Sequence, residues 1–348
     1  MNRPRLLVAA TFGLWLGVIG AADAGEIEAE PAAEAPPPAA EAPLVEPTAT
    51  VWAQAGSRSW TGCSKIASEA AKQLFTGDEA TNNLRDNHHW AIQARECPGV
   101  PDVLAMAARS ELLRRLELPE GVDETTDLSA LELASVESRA RANAWIDGAT
   151  TELRRRRDKR NLGLEYWRGR AHLSLNEIEQ AKLSLGRAID DGTTEGWKIR
   201  RLLALAALYA GDLEAGLVLA NRAMIDAPHH DRLVSAYVLA LVLDRAGDSA
   251  GAERRMKHTL DMDGDGSQMR ALEASVPIHE RLYLRAYAKT VRRETSGALR
   301  LWDAYLARSE PEDPERRLAE RHRIALQPLP TNLGGPAHAD EGRDASGR

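Results

Sequence analysis

The pattern of apolar and polar positions is most regular in residues 197–228, where two Ala/Leu-rich runs flank a Gly-Asp turn. The first run covers residues 202–210, the turn is Gly211-Asp212, and the second run covers residues 213–227 and ends at Pro228. Leu and Ala favour helix, whereas Gly, Asp and Pro favour turns and helix ends. The pattern therefore predicts two short helices in close contact. Small residues that allow this approach lie at Ala204, Gly216, Ala220 and Ala223.

The same arrangement recurs along the chain. Small residues at Ala181, Gly216, Ala252 and Ala298 are separated by steps of 35, 36 and 46 residues, and a second Gly-Asp turn occurs at residues 247–248. The longer last step places about ten extra residues in the connection 261–277. Because one helical pair cannot cover both of its apolar faces, neighbouring pairs are expected to stack. Ala181, Gly216 and Ala252 are therefore predicted to be buried, and Glu214 and Glu253 to be exposed.

Helical patterns also precede and follow these units. They predict helices over residues 60–75, 84–96, 101–118 and, with interruptions, 126–160. A last helix is predicted from Pro314 to about Leu326, with Asp313 as its N-cap and Glu315 in its first turn. Its charged surface suits the end of a stack.

In its repeat length and its small residues, the chain resembles the tetratricopeptide repeat (TPR) family over residues 162–311. The residues that carry the resemblance are Gly169, Ala181 and Ala188; Ala204, Gly216, Ala223 and Pro228; Ala240 and Ala252, with Thr259 in place of Ala; and Ala286 and Ala298, with Tyr305 in place of Ala. The Trp-x-x-Leu-Gly-x-x-Tyr opening of the family is absent from every unit. The resemblance implies an all-α fold, a right-handed α-solenoid of antiparallel helical hairpins. Residues 162–326 would then form repeats and a capping helix, preceded by an N-terminal helical region, residues 58–161.

The resemblance also implies a peptide-binding groove lined by the first helix of each hairpin. The implied groove residues are Tyr166, Arg170 and Ser174; Lys198, Arg201, Leu205 and Tyr209; Tyr237, Leu241, Asp244 and Arg245; and Tyr283 and Tyr287. Leu205 and Leu241 are equally compatible with a place in the core. Tyr with Arg and Lys suits an extended, partly acidic peptide. The Asn of the family's carboxylate clamp is missing, so a clamp for a C-terminal peptide is not supported.

Composition and the N-terminus bear on location. The net charge of −7 argues against a nucleic-acid-binding protein. Arg3, Arg5, the apolar run 6–20 and the Ala22-Asp23-Ala24 site predict a signal peptide, residues 1–24, with an uncleaved anchor as the alternative. Residues 25–57 contain six Glu, six Pro and no Lys or Arg, which predicts a disordered linker. Residues 327–348 are predicted to be a disordered tail. We therefore expect export to the periplasm or the extracellular space, and a protein or peptide partner in the cell envelope.

Cys63 and Cys97 are the two cysteines of the chain. Export favours a disulfide between them, because an oxidising compartment pairs thiols. They stand near the start of one predicted helix and at the end of the next, and these ends are neighbours in an antiparallel hairpin. Two buried thiols are the alternative.

No catalytic constellation, cofactor motif or complete metal site is recognisable, so a non-enzymatic interaction scaffold is the favoured function. Asp261, Asp263 and Asp265 match the start of a calcium loop, but Leu272 stands at its twelfth position. A metal- or ligand-binding envelope protein that uses this turn is the alternative, and an envelope hydrolase with a dispersed site is a weaker one. The basic run from Arg154 to Arg160 suits an acidic partner, anionic lipid or nucleic acid, or simply a solvated helical face.

Overall fold

The structure is a computed structural model that describes residues 60–76, 84–113, 129–192, 194–229 and 231–327. These residues form helices and no strand, so the fold class is all-α. The helices are α1 Trp60–Thr76, α2 Leu84–Glu96, α3 Pro101–Leu113, α4 Ser129–Arg156, α5 Leu164–Ser174, α6 Ile178–Asp191, α7 Gly196–Tyr209, α8 Leu213–Asp226, α9 Arg232–Arg245, α10 Ser249–Met262, α11 Ser267–Glu273, α12 Ile278–Val291, α13 Thr295–Leu306 and α14 Pro314–Ala325.

The Gly-Asp turns have a simple local explanation. Gly211 has a φ of 77° and Gly247 a φ of 88°, which is the left-handed region that Gly enters without steric cost. The next residue then caps the following helix. Asp212 accepts a hydrogen bond from the backbone N–H of Ala215 at 3.1 Å, and Asp248 accepts one from Gly251 at 2.9 Å. Each turn therefore ends one helix and starts the next within two residues.

The left-handed conformation recurs where the sequence offers no Gly. Asn176 and Arg293 both have a φ of 63° and occupy the equivalent turns between α5 and α6 and between α12 and α13. The positions 176, 211, 247 and 293 repeat with the same 35-, 36- and 46-residue steps as the small residues, each five residues before one of them. The backbone conformation thus repeats in phase with the sequence.

Helices that are consecutive in the chain pack in pairs: α5 with α6, α7 with α8, α9 with α10 and α12 with α13. The pairs also contact one another, for example α6 with α7 and α8 with α9. Ala181, Gly216 and Ala252 are buried in these contacts, while Glu214 and Glu253 are exposed. The predicted pattern of burial is confirmed.

The N-terminal helices are held together by the predicted disulfide between Cys63 on α1 and Cys97, which follows α2; their Cα atoms are 5.8 Å apart. Both helices pack mainly on α3, and every residue of α3 is buried. The disulfide is confirmed, with α3 as the common support of the two helices that it joins.

Asp313 does not cap α14 with its side chain. One of its carboxylate oxygens instead accepts a hydrogen bond from the backbone N–H of Glu310 at 2.9 Å, on the turn before the helix. Asp313 is thus the N-cap residue of α14, as predicted, but its side chain closes the preceding turn and makes no capping hydrogen bond to the helix.

Side chains of the basic run are paired within the chain. Arg160 donates two hydrogen bonds to the buried carboxylate of Asp102, at 2.8 and 3.0 Å, and Arg156 donates to the backbone carbonyl of Gly99. Arg155 forms an ion pair with Glu152. These contacts tie the end of α4 to the start of α3, which gives several of these cations a structural role.

The predicted signal peptide, the linker 25–57 and residues 328–348 of the tail lie outside the described residues. Among the helices that the structure describes, none has both the length and the apolar character needed to cross a lipid bilayer.

Candidate functional site

Eight of the implied groove residues, those with a Tyr, Arg, Lys or Asp side chain on the first helices of the first three pairs, are mostly covered. Buried side chains are those of Tyr166, Arg170, Arg201, Tyr237, Asp244 and Arg245, whereas Lys198 and Tyr209 are half-buried. Lys198 and Arg201 both lie against the ring of Trp197, with their charged groups 5.3 and 5.4 Å from its centroid. The chain itself therefore covers most of these side chains.

The connection 263–277, which contains α11, contacts predicted groove residues on α5 and α9. Arg170 donates a hydrogen bond to the carbonyl oxygen of Ala271 at 3.2 Å, and the hydroxyl of Tyr237 donates one to Asp263 at 3.0 Å. Arg139 on α4 reaches the same segment and donates to the carbonyl of Ala274 at 3.1 Å. The extra residues of the long repeat step thus contact Arg139, Arg170 and Tyr237 from within the chain.

Arg139 is fully buried and makes several hydrogen bonds. It also donates to the hydroxyl of Ser174 at 2.8 Å and to the carbonyl of Leu112 at 3.1 Å. Burial lowers the pKa of Arg139 to about 9, and the nearby charges of Arg281 and Arg170 add to this effect. A buried charge of this kind is tolerated because its donors meet fixed carbonyl and hydroxyl oxygens.

The carboxylates of the proposed calcium turn do not converge. Asp261 pairs with Lys257 at 3.0 Å, and Asp265 caps the backbone N–H of Ser267 at 2.9 Å. Asp263 is buried and accepts hydrogen bonds from the backbone N–H groups of residues 268 and 269 as well as from Tyr237. Within the described parts of the chain, no group of three His, Cys, Asp or Glu side chains is placed to hold a metal ion.

Asp244 anchors a buried polar cluster at the end of α9. It accepts a hydrogen bond from the hydroxyl of Tyr283 at 2.5 Å, and its two oxygens both lie 3.0 Å from Nε2 of His322. The ring of His322 stacks on Trp302, with centroids 5.2 Å apart. Because His322 is on α14, this cluster joins the last described helix to the first helix of the third pair.

Arg245, the next residue, faces a different set of partners. It forms an ion pair with Glu280 on α12, and its Nη1 lies 3.9 Å from the carboxylate of Glu315 on α14. Its guanidinium carbon is 5.6 Å from the ring centroid of Tyr209 and 4.8 Å from that of Tyr283. Burial alone would lower the pKa of Arg245, but Glu280 together with Tyr283, Tyr305 and Tyr209 outweighs it and raises the pKa above its ordinary value.

Helix ends explain the position of these charges. Glu280 and Glu315 lie in the first turns of α12 and α14, and Arg245 is the last residue of α9. Each charge has the sign that the helix dipole favours at that end. The sequence therefore places both carboxylates and the guanidinium where their helices stabilise them, and packing brings the three ends together.

A polar cavity of about 470 Å³ opens beside Arg245. Tyr209, Glu280 and Tyr305 line it together with His279 and Arg308. The hydroxyl of Tyr209 is shielded from solvent and has no hydrogen-bond partner, although the residue as a whole is only half-buried. Burial raises the pKa of Tyr209 well above its ordinary value, and the nearby charge of Glu280 raises it further. Two predicted groove residues, Tyr209 and Arg245, thus share one cavity.

A second cavity of about 310 Å³ borders His322 of the Asp244 cluster. It is lined by Tyr287, His322 and the apolar residues Val291, Leu318 and Leu326. The hydroxyl of Tyr287 is buried without a hydrogen-bond partner, and burial raises its pKa. This cavity is smaller and offers fewer charged groups than the first, which we take as the candidate functional site.

Several residues of the site carry no recognisable sequence signal. Glu280 follows His279, but this pair lacks the second His of a metalloprotease motif. Arg308 lies between α13 and α14, and Glu315 lies on α14. The repeat pattern predicts only a capping role for this part of the chain. The ionic partners of Arg245 are 35 and 70 residues away in sequence, so only the fold reveals them.

Comparison of the chain with protein-family models, with curated proteins and with solved structures finds no match.

Proposed function

We propose that this chain is a non-enzymatic interaction scaffold of the TPR type, exported to the periplasm or the extracellular space. In this proposal the helical pairs form a right-handed solenoid of antiparallel hairpins. The turn conformation and the buried small residues, which repeat in phase, support it. The Cys63–Cys97 disulfide is compatible with an oxidising compartment.

The binding proposal depends on one observation, the cavity that contains both Tyr209 and Arg245. Its volume of about 470 Å³ lies in the range typical of ligand pockets. The hydrogen bonds from Arg170 to Ala271 and from Tyr237 to Asp263 close the neighbouring part of the groove. We therefore place the partner, a protein or peptide of the cell envelope, at the cavity rather than along the whole concave face.

Site-specific photocrosslinking in the native envelope tests this proposal. A benzoylphenylalanine at Arg308, which is exposed and lines the cavity, is expected to capture a discrete protein partner. The matched control carries the same probe at Val218, which is 66% exposed on α8. The intact mass of this chain, measured on the fraction that is not crosslinked, also reports whether its residues 1–24 have been removed.

Crosslinking from Val218 but not from Arg308 would place the interaction on another face and contradict the proposal. Absence of a crosslink from both positions, in envelopes where the protein is present and folded, would also contradict it. If an added peptide prevents the crosslink from Arg308, the proposal is strengthened, because the peptide then competes with the partner for the cavity.

A further inference from the structure

We infer that the cavity beside Arg245 binds a positively charged side chain, the guanidinium or ammonium group of a basic peptide segment. This inference rests on the proposed function and names the chemistry of its ligand. It is opposite in sign to the partly acidic ligand that the Arg residues of the groove suggest, because those Arg residues are engaged within the chain. Arg170 donates to Ala271, and Arg245 is paired with Glu280.

The charges that line the cavity are predominantly negative. Besides Glu280, the carboxylates of Glu132, Asp313 and Glu315 line it, against the guanidinium groups of Arg245 and Arg308. Glu280 neutralises Arg245 by direct contact, and Glu315 is a second carboxylate near the same guanidinium. The remaining charge of the lining is therefore negative, and a cationic ligand lowers the electrostatic energy of the site.

Two buried polar groups beside these carboxylates have unused hydrogen-bonding capacity. The hydroxyl of Tyr209 is shielded from solvent without a partner, and so is Nε of Arg245. Both belong to residues that line the cavity, although neither atom exposes surface to it in the free protein. Buried polar groups without partners are rare in proteins and costly, so each is a position where a ligand gains free energy by supplying the missing partner.

A basic peptide can supply both partners once the side chains that cover these atoms move aside on binding. The oxygen of Tyr209 can accept a hydrogen bond from a ligand guanidinium or ammonium, and Nε of Arg245 can donate to a backbone carbonyl of the ligand. The ring of Tyr305, which also lines the cavity, adds an aromatic surface that favours a cation. An acidic side chain would instead meet Glu132, Asp313 and Glu315 and lose free energy through repulsion.

Three capped peptides that differ in one side chain test the charge. The probes are acetyl-Gly-Arg-Gly-amide, acetyl-Gly-Glu-Gly-amide and acetyl-Gly-citrulline-Gly-amide, with citrulline as a neutral group of nearly the same shape as arginine. Binding to the full exported chain is followed by protein-observed NMR and calorimetry. The arginine peptide is expected to bind about tenfold more tightly than the citrulline peptide, and more weakly as salt increases.

The matched variants carry Glu132→Gln with Glu315→Gln, or Glu253→Gln on the exposed surface of α10 as the control. The double variant is expected to weaken binding of the arginine peptide about tenfold, and the control variant to leave its affinity unchanged. Thermal unfolding of each variant shows whether it is folded. Equal binding of the three peptides, preference for the glutamate peptide, or no detectable binding of the arginine peptide would overturn the inference. The crosslink from Arg308 does not depend on these results. It therefore tests the proposed function even if the peptide experiments overturn this inference.

Discussion

Arg139 donates a hydrogen bond to the backbone carbonyl oxygen of Ala274, 135 residues later in the chain. The contact joins the long helix α4 of the N-terminal region to the connection between the third and fourth helical pairs. Its neighbour Arg170 makes the same kind of contact with Ala271. Two buried guanidinium groups therefore bind carbonyl oxygens at the end of α11, and they hold this segment against α4 and α5.

Replacing Arg139 with Leu is expected to lower the free energy of unfolding by about 2–4 kcal/mol, because the carbonyls of Leu112 and Ala274 lose a buried donor. Urea melts followed by circular dichroism measure the change. The control is Arg155→Leu on the same helix, where an exposed ion pair with Glu152 is lost and the cost should stay below about 1 kcal/mol. Equal losses for the two variants would mean that the contacts of Arg139 contribute no more than a surface pair.

Gly169→Ala is expected to destabilise the protein although Ala favours helix. A Cβ atom at this position would lie 2.6 Å from Cγ of the buried Leu185 and 3.3 Å from the carbonyl oxygen of Ala181. The overpacking should cost about 1–3 kcal/mol of unfolding free energy, measured by denaturant melts. The control is Gly186→Ala on α6, where no atom lies within 4 Å of the added carbon, and a gain of about 0.5–1 kcal/mol is expected. If Gly169→Ala also stabilises, α5 and α6 are not in close contact at this point.

At Gly216 the helices are close enough to exclude a large side chain but not a single added carbon. A Cβ atom there would lie 3.5 Å from Ala204 and from Val242, which is ordinary contact, so Ala should fit. Leu at this position would force additional carbons between the helices and cost about 1–3 kcal/mol, whereas Glu214→Leu on the exposed side should be nearly neutral. Denaturant melts of the three variants separate these outcomes, and similar stabilities for Gly216→Leu and Glu214→Leu would contradict the repeat register.

The sequence predicts the local parts of this fold well. Gly211-Asp212 specifies its turn because Gly accepts a positive φ and Asp caps the next helix, and both interactions span only a few residues. The small residues Ala181, Gly216 and Ala252 are buried as expected, since only small side chains allow the helices to approach. Arg293 could not be found in this way. Arg has no preference for a positive φ, so the packing of α12 and α13 imposes its conformation.

The site depends on contacts that are distant in sequence, and for that reason it was predicted only in part. The repeat register selected Tyr209 and Arg245, which do share a cavity. It could not indicate that Tyr237 is covered by Asp263, because the position of a long connection depends on its tertiary contacts and not on its helical period. A charged residue at a predicted groove position is also not necessarily exposed. Arg170 is buried, and its guanidinium donates a hydrogen bond to a backbone carbonyl oxygen.

Removing the disulfide by Cys63→Ser with Cys97→Ser is expected to lower the free energy of unfolding by about 3–4 kcal/mol. In the chain-entropy model, the loop of 34 residues gains freedom mainly in the unfolded state. Denaturant melts of the oxidised protein, the reduced protein and the double variant measure the effect, and the last two should agree. Thiol labelling of the denatured, non-reduced exported protein should find no free thiol. Two labelled cysteines would contradict the bridge in the exported form.

High pH is expected to unfold the protein through its buried tyrosines. Burial raises the pKa of Tyr209, Tyr237, Tyr283, Tyr287 and Tyr305, so their folded-state pKa values exceed the unfolded value of about 10. Below that pH the phenols are protonated in both states and stability is unaffected. As the pH rises further, the unfolded chain loses protons that the folded chain retains, and the free energy of unfolding falls.

The lowered pKa values of Arg139 and Arg281 act in the opposite direction, because the folded chain releases those protons first. They are outnumbered by the five tyrosines, so a net loss of stability is expected above about pH 11. Absorbance at the phenolate band and circular dichroism, recorded together during an alkaline titration, check this prediction. The phenolate signal of these five residues should rise only as helix is lost, whereas in strong denaturant all six tyrosines of the chain should titrate near pH 10. Titration of the five residues near pH 10 with the helical signal intact would show that their hydroxyls reach solvent in the folded protein. It would also remove the buried hydroxyl of Tyr209 as support for the ligand cavity.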